Sequence, residues 1–118
     1  MQKEWIEKNL ILKLTFNLSI SIMNYCDLLQ NQKKFTISNQ LFKSGTSIGA
    51  NCFEAQNAES KSDFIHKLKI AAKELDETQY WLMLCEYNPE LPNCAELLTK
   101  LEEVAKVLNK IIATSKSN

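Results

Sequence analysis

Residues 6–29 read IEKNLILKLTFNLSISIMNYCDLL, and the apolar positions in this run recur at steps of three and four. At 100° per residue, Ile6, Leu10, Ile11, Leu14, Leu18, Ile22, Tyr25, Leu28 and Leu29 fall on one broad face, the pattern of a helix laid on a core. A second apolar set, Trp5, Leu12, Phe16, Ile20 and Met23, lies roughly opposite. A helix of a monomeric bundle has only one face to cover. The second set therefore predicts cover from outside the chain, and a neighbouring subunit supplies it most simply.

Working outward, Asn31-Gln32-Lys33-Lys34 breaks the periodicity and reads as a short loop. Helices are expected over about residues 3–32, 37–57, 61–88 and 93–115, from the stripe in each segment and the signals at its ends. Thr36 or Ser38 can cap the second helix, whose stripe is Leu41, Phe42, Ile48, Cys52, Phe53 and Ala55. Ser60-Lys61-Ser62-Asp63 has the form of a capping box with the shorter acid in place of Glu. The core face of the third helix runs from Phe64 and Ile65 through Leu68, Ala71, Ala72 and Leu75 to Leu82 and Met83, with Ile70, Trp81 and Leu84 off it. Asn88-Pro89 ends it, because the residue before Pro avoids the helical region. Asn93 can cap a fourth helix that carries Leu97, Leu101, Val104 and Leu108, and Ser115 to Asn118 read as a frayed tail. Four helices on short loops predict one all-α domain over residues 1–118, an antiparallel up-down-up-down four-helix bundle.

Inside the second helix stands Ser44-Gly45-Thr46-Ser47-Ile48-Gly49-Ala50-Asn51. Each interior glycine costs a helix about 1 kcal/mol relative to Ala, so Gly45 and Gly49 require a reason. Four residues apart, they share a side of the helix and let another backbone come close. A phosphate-binding loop is the alternative, but the run lacks the GK[ST] ending and no strand precedes it.

The 118 residues contain only two Gly and two Pro, with 45% apolar content. That is too little punctuation for an all-β chain, and the length suffices for a core without disulfides or metal. Fourteen Lys balance fourteen Asp plus Glu, and there is no Arg. The bidentate fork that favours phosphate and base recognition is thus missing. The charge is unevenly spread: residues 33–73 hold seven Lys and three acids, whereas residues 74–103 hold eight acids and one Lys. Lys43, Lys61, Lys67, Lys69 and Lys73 form the candidate polyanion patch.

Cys26, Cys52, Cys85 and Cys94 show no CxxC spacing and are expected as buried, reduced thiols. His66 has Asp63 three residues before it, but a di-metal bundle needs a second histidine that this chain lacks. Glu74, Asp76, Glu77 and Glu86 read as a solvated helix face. With no nucleophile elbow and no Gly-rich strand–helix turn, the chain is read as a non-enzyme without cofactor or metal. Met1-Gln2-Lys3-Glu4 does not open a signal peptide, and residues 10–23 are too short and too interrupted to span a bilayer. The expected location is the cytoplasm, with no membrane partner.

Gln40-Leu41-Phe42-Lys43 leading into SGTSIGAN, then Glu54-Ala55, the run Ala58 to Leu68 and Glu77-Thr78-Gln79-Tyr80-Trp81-Leu82 resemble the 23S rRNA-intervening-sequence protein family. The likeness extends over essentially the whole chain. It implies a four-helix bundle assembled as a homopentameric ring, without enzymatic activity. A related branch, the accessory variability proteins of diversity-generating retroelements, forms similar rings that bind a reverse transcriptase and nucleic acid through a basic surface. This sequence departs from that branch in having no Arg and a net charge of zero. The expected function is a self-assembling structural or protein-interaction module, whose partners are its own copies and another protein. The alternative is a nucleic-acid-binding accessory protein that uses the lysine patch, with weak affinity.

Overall fold

The computed structural model describes the backbone of residues 3–117 and the side chains of residues 6–117. Within them lie five α-helices: α1 Lys3–Lys8, α2 Leu10–Asn31, α3 Phe35–Ala55, α4 Lys61–Tyr87 and α5 Ala95–Ser117. Among the described residues there is no strand.

The expected first helix is in fact two, divided at Asn9. That residue has φ −111° and ψ 111°, and its side-chain oxygen accepts from the Leu12 N–H at 3.3 Å. Its carboxamide nitrogen also donates to Gln56 Oε1 at 3.3 Å, at the far end of α3. Asn is among the strongest N-caps, and here capping plus a tie to α3 prevails over continuity.

α2 ends in a Schellman turn. The Lys34 N–H reaches the Leu29 carbonyl at 2.9 Å, and that of Lys33 reaches Gln30 at 2.8 Å. Lys33 occupies the left-handed position at φ 60°, a place that favours Gly. α3 starts at Phe35 with no side-chain cap, so neither Thr36 nor Ser38 caps it. Ser38 instead lies buried inside the helix, its hydroxyl donating to the Cys26 carbonyl at 3.2 Å.

Ser60 caps α4 as expected, accepting from the Asp63 N–H at 3.0 Å. The return bond goes one residue further out, from the Glu59 N–H to Asp63 Oδ2 at 3.2 Å. Asn93 Oδ1 accepts from the Ala95 N–H at 2.8 Å at the start of α5. That helix continues to Ser117, so the expected tail is helical for most of its length.

α2 packs on α3, α3 on α4, α4 on α5, and α5 returns to α2, while α1 lies against α2. α2 and α3 meet in reversed order, as do α3 and α4. Ser19, Ile22 and Cys26 face Gly49, Gly45 and Ser38 in turn. Glu54 and Ser44 of α3 meet Lys67 and Thr78 of α4, and Lys100 of α5 reaches Ser21 of α2. Leu18, Ile22, Leu29, Leu41, Ile48, Leu68, Leu82 and Leu108 are fully buried between them.

The glycines are explained by α2. A Cβ on Gly45 would stand 2.8 Å from Ile22 Cγ2, and one on Gly49 would stand 3.3 Å from the Thr15 carbonyl oxygen. The close approach is therefore made within the chain. It also turns the covered arc of α2 toward α3, which draws in Leu12 (2% exposed) and releases Leu10 (58%) and Leu28 on the α5 side. Leu12 was expected on the outer face, and Leu10 and Leu28 in the core. Phe42, Phe53 and Met83, also expected inside, are exposed.

Candidate interaction surface

Among the described residues, two strips of large apolar side chains are exposed. On α2, Phe16 (46% exposed), Ile20 and Met23 stand at i, i+4 and i+7, one side of a helix distinct from its buried stripe. On α3, Phe35 and Phe42 are seven apart and exposed. Phe16 and Phe53 line one groove of about 360 Å³, with Leu12, Gly49 and Ala50 in its wall and floor. Small residues at positions 49 and 50 open this groove, so the glycine that lets α3 approach α2 also hollows the outer surface between them.

The second strip is on α4. Tyr80, Met83, Leu84 and Tyr87 stand at i, i+3, i+4 and i+7, and all four are exposed. The core stripe of the same helix is Leu68, Ala71, Leu75, Thr78, Leu82 and Cys85. Tyr80 and Trp81 meet edge to face with ring centroids 5.3 Å apart, and the Trp81 indole N–H donates to Glu77 Oε2 at 3.1 Å.

Of the residues expected at an interface, Phe16, Ile20, Met23 and Leu84 are on the outer surface. Leu12 is core. Ile70 is half-buried, and Trp81 packs partly against the core. The side chain of Trp5 lies outside the described residues. Sequence reading missed Phe35, Tyr80 and Tyr87, and assigned Phe42, Phe53 and Met83 to the interior. The 80/83/84/87 spacing was the available signal on α4.

The lysines are not brought into one patch. Lys67 pairs with Glu54 of α3 at 3.3 Å. Lys69 meets Lys116 of α5, and that neighbouring cation holds its pKa below the usual lysine value. The two are thus drawn to opposite sides of α4. Lys61 and Lys73 are exposed on α4, and Lys43 lies on α3 near the carboxyl group of Glu74.

Among the described residues Glu74 is the acid whose Oε2 is buried without a hydrogen-bond partner. Desolvation raises its pKa, Glu77 adds to the rise, and Lys43 partly offsets it. A raised folded-state pKa contributes stability below the unfolded value, and that contribution is lost as pH climbs through the folded one. Glu74→Gln should therefore melt higher than the parent at pH 7, and the difference should close at pH well below the ordinary carboxylate range. Thermal melts at the two pH values check this.

All four cysteines are free and buried. Burial pushes the Cys52 thiol up to about 12 and raises Cys26, Cys85 and Cys94 as well, so none has the lowered pKa of a nucleophile. His66 is exposed. Among the described residues no group of three His, Cys, Asp or Glu side chains could hold a metal ion, and no helix is long and apolar enough to cross a membrane. What this surface offers chemically is contact.

The family of 23S rRNA-intervening sequence proteins matches the chain over residues 7–110. No curated protein matches it. Among solved structures, a protein of unknown function from the S23 ribosomal protein family of Bacteroides thetaiotaomicron is 39% identical, with a TM-score of 0.83 over 86% of this chain and 97% of its own.

Proposed function

As this chain belongs to the family of 23S rRNA-intervening sequence proteins, we propose that it works as a non-catalytic, self-assembling module for structure or protein interaction. In this reading the subunit is an antiparallel up-down-up-down four-helix bundle. Copies cover one another's apolar strips in a closed ring, a homopentamer by the family resemblance, and the remaining surface is left for a protein partner. The observation that carries it is the strip of Phe16, Ile20, Met23, Phe35 and Phe42, all exposed in the single chain. Scattered apolar side chains are ordinary on a surface, whereas a contiguous strip marks an interaction site. The cytoplasm suits this reading, since four reduced thiols are usual there. Sedimentation at micromolar concentration should give one species several times the 13.6 kDa chain mass. A clean monomer would sink the proposal.

A second reading, nucleic-acid binding as in the accessory variability proteins of diversity-generating retroelements, has the Lys69–Lys116 pair in its favour. An assembly would repeat that pair and add avidity. Against it stand the absent Arg, the Glu54 partner of Lys67 and the acidic run from Glu74 onward. Binding to mixed RNA or DNA should be no tighter than about 10⁻⁴–10⁻⁶ M at physiological salt, the ordinary non-specific range. Nanomolar binding that disappears in a Lys67→Glu, Lys69→Glu, Lys73→Glu variant would promote this reading to first place.

A further inference from the structure

We infer that α1 is a hinged flap on the groove beside Phe16 and Phe53. Asn9 latches it in a bent position, and release of that latch straightens α1 into a continuation of α2. The device operates within one chain and stands whether or not copies assemble.

The sequence suits a straight form as well as a bent one. Residues 3–31 contain neither Gly nor Pro, so nothing in the run forbids a single helix through position 9. The bend is also narrow. α1 ends at Lys8, Asn9 has φ −111° and ψ 111°, and α2 starts at Leu10.

The two forms exchange one set of bonds for another. In the bent form the first-turn N–H groups of α2 lack helical acceptors, and Asn9 Oδ1 serves one of them, that of Leu12. Straightening offers these groups the carbonyls of Ile6, Glu7 and Lys8, so the backbone favours it. The bend is held by the Asn9 cap, by the bond that Asn9 Nδ2 donates to Gln56 Oε1, and by the burial of Ile6. Both side-chain bonds measure 3.3 Å, beyond the usual range for N–H···O. The Glu7–Lys13 pair across the bend, at 3.9 Å with both side chains half exposed, adds little. The latch is weak.

What changes is the place of Ile6. Bent, it is 8% exposed and lines the groove with Leu12, Phe16, Gly49, Ala50 and Phe53. In a straight helix it would stand about 160° round the axis from Ile22, which is fully buried, at 100° per residue. That is the side away from the core, one turn from Leu10, which is 58% exposed. Straightening thus removes a wall of the groove and adds an apolar side chain to the outer surface.

Two substitutions set the two forms. Leu10→Pro locks the bend, because Pro is accepted at a first helical position and drives the residue before it to the extended region that Asn9 already occupies. Asn9→Ala removes cap and tie together and installs the strongest helix former. Nitroxides on unnatural side chains at positions 3 and 30 of the full chain read the distance along α1 and α2. The labelled chain is diluted in excess unlabelled protein, so that only distances within one chain are seen. A straight helix separates these positions by about 40 Å, the greatest span 27 helical steps allow, and any bend shortens it. Asn9→Ala should give about 40 Å, Leu10→Pro a value several ångström shorter, and the parent the shorter value alone or both. Gln56→Ala removes the tie only and should shift a smaller population the same way. It carries the test should Asn9→Ala lose its cooperative helical melt. If Asn9→Ala keeps the Leu10→Pro distance, something other than Asn9 sets the bend and the inference falls. It falls as well if Asn9→Ala gives a broad distribution without the long peak, since α1 then frays instead of straightening. A parent found only at the long distance sinks it too, because the latch then holds nothing.

Discussion

Phe16→Glu is expected to convert the proposed assembly into folded monomers. The side chain is 46% exposed in the single chain and sits away from the buried stripe of α2. Replacing it should therefore move the fold's own stability by no more than about 0.5 kcal/mol, as surface substitutions usually do. In the proposed assembly the same position lies beneath a neighbour, where a carboxylate enters an apolar contact. An unpaired buried charge costs on the order of 3–5 kcal/mol, about 10²–10⁴ in a dissociation constant, and every subunit of the proposed ring would carry the defect. Helical circular dichroism should be preserved while the sedimenting mass drops to 13.6 kDa. Leu10→Glu is the control: Leu10 is more exposed than Phe16 but lies toward α5, outside both strips. It should leave the mass unchanged. An unaltered mass for Phe16→Glu, or equal dissociation by Leu10→Glu, would show that the outer side of α2 is not the contact.

The sequence carried the helices well because long stripes average over many residues. Leu18, Ile22 and Leu29 on α2, and Leu97, Leu101, Val104 and Leu108 on α5, were expected inside and are buried. What periodicity could not carry was the width and direction of each buried arc. That depends on how closely a neighbour approaches, and here Gly45 and Gly49 decide it. They bring α3 against one side of α2, so Leu12 is covered while Leu10 and Leu28 are not. The same shift exposes Phe42 and Phe53, which sit on the α2-facing edge of the α3 stripe. On α4 two apolar stripes share one helix, and pattern alone assigned Met83 to the wrong one. The break at Asn9 was missed for a different reason: its cap gains from Gln56, 47 residues away, a partner that no local reading supplies. A second apolar face on α2 was legible, and Phe16, Ile20 and Met23 of that face are exposed in the single chain.

Gly45→Ala should destabilise the subunit although it places a better helix former in a helix interior. Propensity alone would add about 1 kcal/mol. Against this, the new methyl would stand 2.8 Å from Cγ2 and 3.0 Å from Cγ1 of Ile22. Those atoms branch from the Cβ of a fully buried side chain and have little room to turn. Overpacking of this kind costs about 1–3 kcal/mol, so a net loss is expected, and Gly45→Leu should lose more. Gly49→Ala meets contacts no shorter than 3.3 Å and should come out near neutral. The decisive measurement is a double-mutant cycle with Ile22→Ala. Alone, that substitution leaves a cavity and costs about 2–5 kcal/mol. On that background Gly45→Ala has space for its methyl, so its effect should change sign and stabilise, giving a coupling of about 1–3 kcal/mol between two residues in contact. Urea unfolding of the four proteins reads this directly, provided all are compared at one protein concentration, because the proposed assembly would add to apparent stability. A Gly45→Ala variant more stable than its parent, or a cycle that is simply additive, would mean that the glycine is incidental and that something other than its missing side chain sets the spacing of α2 and α3.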